Sequence, residues 1–225
     1  MEKKYNDILT VILVISIIAI VILAGFWIYD IYTKNKVEKD ALAAIEEFNK
    51  QIGLQEESNI IENEIPEPEQ EPEIEPEENS NNNTSSTSSN SGQKYNDFTI
   101  LGQIEIPKTK VSYPVLEEMS PKALNVAVSK LYGPGLNQVG NTVIIGHNNR
   151  NGLFFSNNKK LSIGDKIYIT DLNGNKITYI IYNKYETTDT DTDYMTRDTN
   201  GTREISLSTC TDDGKLRIII WAKEQ

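Results

Sequence analysis

The chain has 225 residues, enough for one ordinary domain with appendages, and its formal net charge is −11. Residues 1–93 carry a net charge of −12 and residues 94–225 carry +1, so the second part lacks the basic surface expected of a nucleic-acid-binding domain. Cys210 is the only cysteine, which excludes an intramolecular disulfide, and His147 is the only histidine.

The first element is an apolar run at residues 8–29, which contains no charged side chain. As a helix it would be about 33 Å long, which matches the thickness of a bilayer core. The alternative is a cleaved signal peptide, whose shorter apolar core usually ends in small residues, whereas Trp27, Tyr29 and Tyr32 are bulky. We therefore expect a retained transmembrane helix over 8–29, preceded by a cytoplasmic segment over 1–7.

A juxtamembrane segment over 30–55 follows, with lysines on both sides of the apolar run, so the positive-inside rule does not fix the orientation. Within this segment, apolar residues at helical spacing predict a short amphipathic helix over 36–52, too short to indicate a coiled coil. We expect this helix to rise from the membrane or to pack on the domain. The apolar positions are Val37, Ala41, Ile45, Phe48 and Ile52.

The next segment, 56–93, is a linker. Eleven glutamates interleaved with prolines fill its first part, and an Asn/Ser/Thr tract fills its second part. Charge repulsion and proline favour an extended first part, and the polar tract favours a flexible, disordered second part. Fully extended, the linker would reach on the order of 100 Å and act as a stalk that holds the domain off the membrane. Plain disorder without a spacing role is the alternative.

The folded domain is expected over 94–225, with seven short strands and one helix. Ser120 followed by Pro121 indicates the start of a helix over 123–131 that ends before glycine and proline residues. Short strands with little strand–helix alternation predict a mainly β fold, either a barrel or a sandwich. The predicted strands are 100–106, 111–116, 141–146, 166–170, 176–185, 204–209 and 216–222.

The C-terminal hairpin carries the most informative residues. Asp213 and Gly214 predict a two-residue turn of the primed type, which would pair Cys210 with Arg217. Directly opposed residues share a face, with Cβ atoms about 4.5–5.5 Å apart. The guanidinium would then lie beside the single thiol, where a permanent cation favours the nucleophilic thiolate.

His147 follows the predicted buried strand over 141–146 and precedes a polar loop, where an imidazole could donate a proton to a leaving amine. A lone histidine is more often a surface or structural residue, and a lone cysteine is more often a small buried hydrophobic residue. One cysteine, one histidine and a cross-strand Arg217 together favour cysteine chemistry.

These residues resemble the sortase family of cysteine transpeptidases. The stretch Leu207-Ser208-Thr209-Cys210, with Arg217 on the next strand, is similar to the family signature, although Ser206 stands where the signature usually has Thr. Residues 141–147 resemble the histidine-bearing strand of the family. Residues 104–108 and 161–167 resemble two further strand entries, so the resemblance covers about 94–225 in the family's order.

The resemblance implies an eight-stranded β-barrel with one or two short helices and a transpeptidation reaction. Cys210 would attack an LPxTG-like sorting signal after its threonine, His147 would act as acid and base, and Arg217 would stabilise the oxyanion. Thr209 would bind near the substrate. The acceptor would be an amine of a peptidoglycan precursor or a pilin lysine. The chain would be a single-pass membrane protein with its domain outside the cell.

Within the family, the sequence favours the anchoring classes or the class D group. It contains no Asp-Pro lid motif of the pilin-polymerising class, and the short gap between His147 and Cys210 disfavours the class with an inserted helix.

The polar connection over 186–203 contains Asp189, Asp191 and Asp193, and some sortases bind calcium in the corresponding region. The EF-hand pattern fails because Tyr194 stands where glycine is needed. We expect a solvated connection that gates the substrate, and no metal or cofactor, with calcium as the alternative.

Two other functions remain open. Another exported cysteine enzyme is one, although L,D-transpeptidases usually have a glycine beside the cysteine and papain-like peptidases place their cysteine before their histidine. A non-catalytic, stalked extracellular binding domain is the other, and there Cys210 would be buried and unreactive.

Overall fold

The structure, a computed structural model, describes residues 2–53 and 92–225. Its first element, α1, is a single helix over Glu2–Gln51, so one helix covers most of both predicted N-terminal segments, 8–29 and 30–55. Residues 26–52, which include the junction, contain neither proline nor glycine, so nothing interrupts the backbone hydrogen bonds there. By length and composition α1 can cross a membrane, and the apolar side chains of its first part are exposed.

Nine strands follow in the described part of the chain, and eight of them close into a barrel. Around the barrel the order is β2-β3-β4-β5-β8-β9-β7-β6, and β6 pairs with β2. The β3–β4 and β5–β8 pairs are parallel and the others antiparallel, so the predicted eight-stranded barrel is confirmed. The strands are β1 Lys94–Tyr95, β2 Phe98–Ile106, β3 Val111–Leu116, β4 Val128–Tyr132, β5 Gly140–Ile145, β6 Lys166–Asp171, β7 Lys176–Thr187, β8 Arg203–Cys210 and β9 Arg217–Glu224.

Alternate side chains of the strands fill the barrel interior, and most of them are β-branched, leucine or aromatic. On β8, Ile205 and Leu207 are fully buried in this interior, so Ser206 and Ser208 face outward. The outer face of β5, β8 and β9 has its own small apolar cluster. Its buried members are Val143, Tyr194 and Ile219.

The predicted helix over 123–131 is wrong beyond its first turn. The observed helix, α2, spans Pro121–Leu124, and its N-cap Ser120 accepts a hydrogen bond from Ala123 N at 3.2 Å. The chain then enters β4, which pairs in parallel with β3 and in antiparallel with β5. These two ladders join residues that are distant in sequence, and they outweigh the local helical preference.

The turn between β8 and β9 is longer than predicted, but the predicted register is confirmed. Cys210 pairs with Arg217, and Thr211 N donates to Leu216 O at 2.9 Å. Gly214 N donates to Thr211 O, and Gly214 is the one residue of this turn with a positive φ, 73°. The two-residue primed turn is therefore wrong, because type I′ needs a positive φ at both central residues and type II′ needs one at the first.

The C-terminal part of α1 packs on the domain. Ala41 is fully buried in the same apolar cluster as Tyr113, and Phe48, 1% exposed, belongs to a second cluster. Gln93 Nε2 donates to Ala44 O at 3.5 Å. Apolar residues at helical spacing thus cover one side of the barrel. The buried partners of Phe48 in its cluster are Tyr95, Ile100, Leu116, Ala123 and Ala127.

The predicted linker over 56–93 lies outside the described residues except at Gly92 and Gln93. The helix ends just before Gly53, and Gln93 already contacts the helix through its hydrogen bond to Ala44. The residues that flank the undescribed segment, Gly53 and Gly92, therefore both lie near the contact between helix and domain. This contact, and not the length of the linker, sets how far the domain stands from the apolar run.

Residues 188–202 join β7 to β8 and lie over the outer face of β5, β8 and β9. Tyr194 is 4% exposed, and its hydroxyl donates to Ser208 Oγ at 3.4 Å. Asn141 Nδ2 donates to the carbonyl oxygens of Tyr194 and Met195 at 2.9 and 3.0 Å. Tyr194 thus packs onto the sheet, whereas most of the segment, including Asp189 and Asp193, is exposed as expected of a solvated connection. Its gating of the substrate stays a prediction.

Arg197 anchors the same segment. Its guanidinium forms an ion pair with Glu204 and donates to Asn141 Oδ1 at 3.0 Å. It also lies 4.7 Å from the centre of the Trp221 ring. The two charged side chains are only 11% and 9% exposed, so the pair is largely shielded from water.

We expect Phe48→Ala to destabilise the contact between α1 and the domain by about 3 kcal/mol, because it leaves a cavity in a packed cluster. Leu42→Ala is the matched control, since Leu42 lies on the same helix and is 53% exposed. Thermal unfolding of the full chain in detergent, together with hydrogen exchange of the helix amides, measures both. Equal effects of the two substitutions would show that this face of α1 is not docked.

Arg197→Leu should lower the free energy of unfolding by about 3–5 kcal/mol, because it leaves the Glu204 carboxylate buried without its cation. Arg203→Leu is the control: the Arg203–Glu224 pair is 39% and 32% exposed, so water screens it and its loss should cost much less than the loss of the Arg197 pair. Chemical denaturation of both variants gives the comparison. Losses of the same size would mean that the Arg197 pair is no better shielded than the control.

Candidate active site

Cys210 is the last residue of β8, and its side chain is half-buried. Its cross-strand partner on β9 is Arg217, the first residue of that strand. Arg217 Nη1 donates to Cys210 Sγ at 3.4 Å. A positive, fixed donor therefore lies against the single thiol of the chain.

His147 lies on the other side of Cys210, at the end of β5, because β5 pairs in parallel with β8. In this ladder Ile145 lies opposite Ser208, and Gly146 N donates to Ser208 O at 3.2 Å. The same register, continued by two residues, puts His147 beside Cys210. Because β8 lies between β5 and β9, the imidazole, the thiol and the guanidinium form one row across three strand ends.

This row lies on the outer face of the sheet and not in the barrel interior. Cys210 alternates with Thr209, which is 1% exposed on the opposite face. The Thr209 hydroxyl donates to Gly146 O at 2.8 Å and so ties β8 to the residue before His147. The expectation that Thr209 binds substrate stays a prediction. Its hydroxyl is turned toward Gly146 O, directly after β5, and not toward the face that carries Cys210.

Gly146 allows the close approach that sets the position of His147. A Cβ atom at this position would lie 2.9 Å from Phe155 Cδ2 and 2.9 Å from Val128 Cγ1, closer than packed carbon atoms come. Phe155 N also donates to His147 O at 3.1 Å, which folds the following loop back onto the strand end. The backbone around the imidazole is therefore held by packing on both sides.

The sequence did not single out Asn148, which connects the loop after His147 to the hairpin. Its side-chain amide donates to Cys210 O and to Asp212 Oδ1, both at 2.9 Å. Asp212 also pairs with Lys159, and these partners, Lys159 first, lower the pKa of the Asp212 carboxyl. An asparagine in a polar loop gives no signal in the sequence, because only the fold brings it to Cys210.

Burial lowers the pKa of His147 below its ordinary value of 6.5, and the cation of Arg217 lowers it further. Both causes disfavour the imidazolium. The imidazole beside Cys210 is therefore mainly neutral at pH 7, the form in which it can accept a proton.

Two open clefts lie at the two ends of this part of the sheet. One, of about 320 Å³, adjoins the hairpin that carries Cys210 and is lined by Lys159, Glu186, Thr211, Asp212, Asp213, Leu216 and Ile218. The other, of about 390 Å³, lies at the opposite end of β5 beside Arg197, Asn141 and Met195. No member of the row lines either cleft: Ile218 alternates with Arg217 and belongs to the interior side, and the second cleft belongs to the anchor of the 188–202 segment.

Within residues 2–53 and 92–225, no group of three or more His, Cys, Asp or Glu side chains is arranged to hold a metal ion. Asp191, which the calcium alternative would use, is engaged within its own segment. It accepts hydrogen bonds from Thr187 Oγ1 at 2.6 Å and from Asp193 N at 2.9 Å, and these bonds lower the pKa of its carboxyl.

Comparison with known proteins agrees with this geometry. Residues 104–225 match the sortase domain family. A sortase A from Bacillus anthracis is 31% identical over 112 residues, which cover 49% of this chain and 52% of that protein. The chain thus aligns with about half the length of this curated relative.

Solved structures show the same fold. A Clostridium perfringens sortase D5 transpeptidase is 29% identical, with a TM-score of 0.51 over 56% of this chain and 79% of that one. A pilus-related sortase C of group B Streptococcus is 26% identical, with a TM-score of 0.52 over 56% and 67% of the two chains. The family match covers more than half of the chain and includes all three members of the row, so the chain belongs to the sortase family.

Proposed function

We propose that this chain is a membrane-anchored transpeptidase that cleaves an LPxTG-like sorting signal after its threonine and transfers the acyl part to an amine. The observation that carries the proposal is the row of His147, Cys210 and Arg217 on one outer face, with the guanidinium donating to the sulfur. A nucleophile between an acid–base group and a cation is the arrangement that covalent acyl transfer needs.

In the first half-reaction, Cys210 Sγ attacks the carbonyl carbon of the scissile bond, and the thiol proton passes to the neutral imidazole of His147. Arg217 stabilises the negative charge that develops on the carbonyl oxygen. The imidazolium then gives its proton to the leaving amine, the C–N bond breaks, and a thioester remains on Cys210. The depressed pKa of His147 fits this order, because an acidic imidazolium gives up its proton readily.

The second half-reaction reverses these roles. An acceptor amine attacks the thioester carbonyl, and His147 takes the proton that the amine loses. The thiolate of Cys210 leaves and recovers a proton, so one amide is exchanged for another without net hydrolysis. We propose an amine of a peptidoglycan precursor, or a pilin lysine, as the acceptor.

The apolar part of α1 supports a retained membrane anchor. The run is long and apolar enough to cross a membrane, and it continues as one helix into the part of α1 that is buried against the domain. We propose a cytoplasmic segment at 1–7, a span at 8–29 and a juxtamembrane segment at 30–55. After the linker at 56–93, the domain over 94–225 would lie outside the cell. The subtype, anchoring or class D, stays a prediction, since relatives called A, C and D are similar to the chain alike.

Quenched-fluorescent LPxTG-like peptides, with and without an added amine, test the proposal on the full chain in detergent. We expect cleavage by the wild type, a transfer product with the amine, and neither with Cys210→Ala. Arg217→Gln should lower kcat by about 100-fold or more, as expected for loss of an oxyanion donor. Lys215→Gln, in the exposed turn beside the site, is the control that keeps full activity.

Two outcomes would replace the proposal. Ready alkylation of Cys210 without cleavage of any such peptide would favour another exported cysteine enzyme. A folded protein whose Cys210 neither alkylates nor supports cleavage would favour a non-catalytic binding domain.

The charge of Arg217 should also be visible in the titration of His147. Because the chain has one histidine, its imidazole carbon signals identify that residue directly by NMR. The midpoint is expected below 6.5 in the wild type, and Arg217→Gln should raise it, because the repulsion between cation and imidazolium is removed. With Lys215→Gln the midpoint should stay where it is. If the midpoint of the His147 titration is the same in Arg217→Gln as in the wild type, the guanidinium does not act on the imidazole.

A further inference from the structure

The continuous helix fixes the height of the domain above the apolar run. The run ends at Tyr29, and Lys34 follows five residues later, about 7.5 Å farther along the helix axis. The end of the Lys34 side chain reaches the domain from here: a Cβ atom added at Gly152 would lie 3.2 Å from Lys34 Nζ. Gly152 belongs to the loop over 147–157, which begins with His147.

This height is at the outer edge of the headgroup layer of a bilayer. The hydrocarbon core is about 30 Å thick and the whole bilayer about 40–45 Å, which leaves about 5–7.5 Å of headgroups on each side. Tilting the helix would change the position of the loop little, because the loop lies against the helix close to its exit point. The buried contacts of Ala41 and Phe48 make helix and domain move together.

Charges at the same level suit an anionic surface. Lys36 and Arg150 are exposed, and Lys34 lies beside the loop, whereas Asp30 is the one acidic residue of the helix between Tyr29 and Lys36. We call Lys34, Lys36 and Arg150 the basic rim. Basic residues next to a membrane span are attracted to anionic lipid headgroups.

We propose that the 147–157 loop and the basic rim rest on anionic lipid headgroups, so that the site of Cys210 opens at the membrane surface. The loop is also bonded directly to the residue that bears the thiol, because Asn148 Nδ2 donates to Cys210 O at 2.9 Å. Cys210 is therefore held close to the loop and to the surface on which the loop rests. The inference rests on the membrane insertion of α1 put forward under the proposed function, and it adds the lipid surface as a partner of the domain itself.

Depth-dependent quenching tests the proposal on the full chain. A Cys210→Ala variant with Asn149→Cys receives a fluorophore and is reconstituted in phosphatidylcholine vesicles that contain phosphatidylglycerol and a nitroxide-headgroup lipid. The control label is at Lys122→Cys, since α2 packs near Phe48, about 21 Å farther along α1 than Lys34. We expect strong quenching at position 149 and little at 122. Equal quenching at the two positions, or none at 149, would overturn the proposal.

A charge variant provides the second readout. Lys36→Glu combined with Arg150→Glu should lower the quenching at position 149 in anionic vesicles, and added salt should do the same. Lys94→Glu, an exposed lysine on β1, should leave the quenching unchanged. If the double variant is quenched like its parent, the contact between rim and headgroups is refuted.

These outcomes are separate from the proposed chemistry. The quenched protein lacks its nucleophile, so failure of the wild type to cleave peptides would refute the transpeptidase reaction and leave the quenching result intact. Vesicle flotation of the same samples reports on the anchor alone, and a chain that does not float would refute both the insertion of α1 and the lipid contact.

Discussion

The parallel pairing of β5 with β8 is the constraint on which the site depends. The two strands are far apart in the chain, and the register of their ladder alone decides that His147 and Cys210 meet. A slip of one residue would turn one of these side chains toward the barrel interior, because strand side chains alternate between faces. The Thr209 hydroxyl and the missing Cβ of Gly146 hold this register at the strand ends, where a ladder would otherwise fray.

The other two supports of the row have different origins. Arg217 comes from the same hairpin as Cys210, so a short turn is enough to place it. The covering segment over 188–202 is held by the shielded Arg197–Glu204 pair, which packs the outer face of the sheet up to the level of Tyr194. The row of His147, Cys210 and Arg217 therefore lies at the edge of the surface that the 188–202 segment covers. Its side chains are half-buried there, so the imidazole is partly desolvated, and a substrate peptide can still approach the thiol.

The sequence predicted well those features that depend on residues close together in the chain, and it missed those that depend on contacts between distant segments. The pairing of Cys210 with Arg217 is local, and the Asp213-Gly214 signal predicted this register correctly although the turn itself is of another type. The strand over Val128–Tyr132 was missed, because its two partners lie elsewhere in the chain and its own residues also fit a helix. The apolar spacing of α1 predicted a helical face, but not the surface that covers it. Asn148 and Arg197 act through tertiary contacts that no local pattern announces.

The unbroken helix leaves the domain few ways to move once α1 is in a bilayer. A flexible tether would let the thiol sample a hemisphere, whereas a rigid stem leaves rotation about its own axis and a limited tilt. Cys210 would then sweep a narrow ring around the stem at nearly constant height. Encounters with partners held in the same bilayer become a two-dimensional search, in which local concentration and orientation count for more than affinity for a freely diffusing chain.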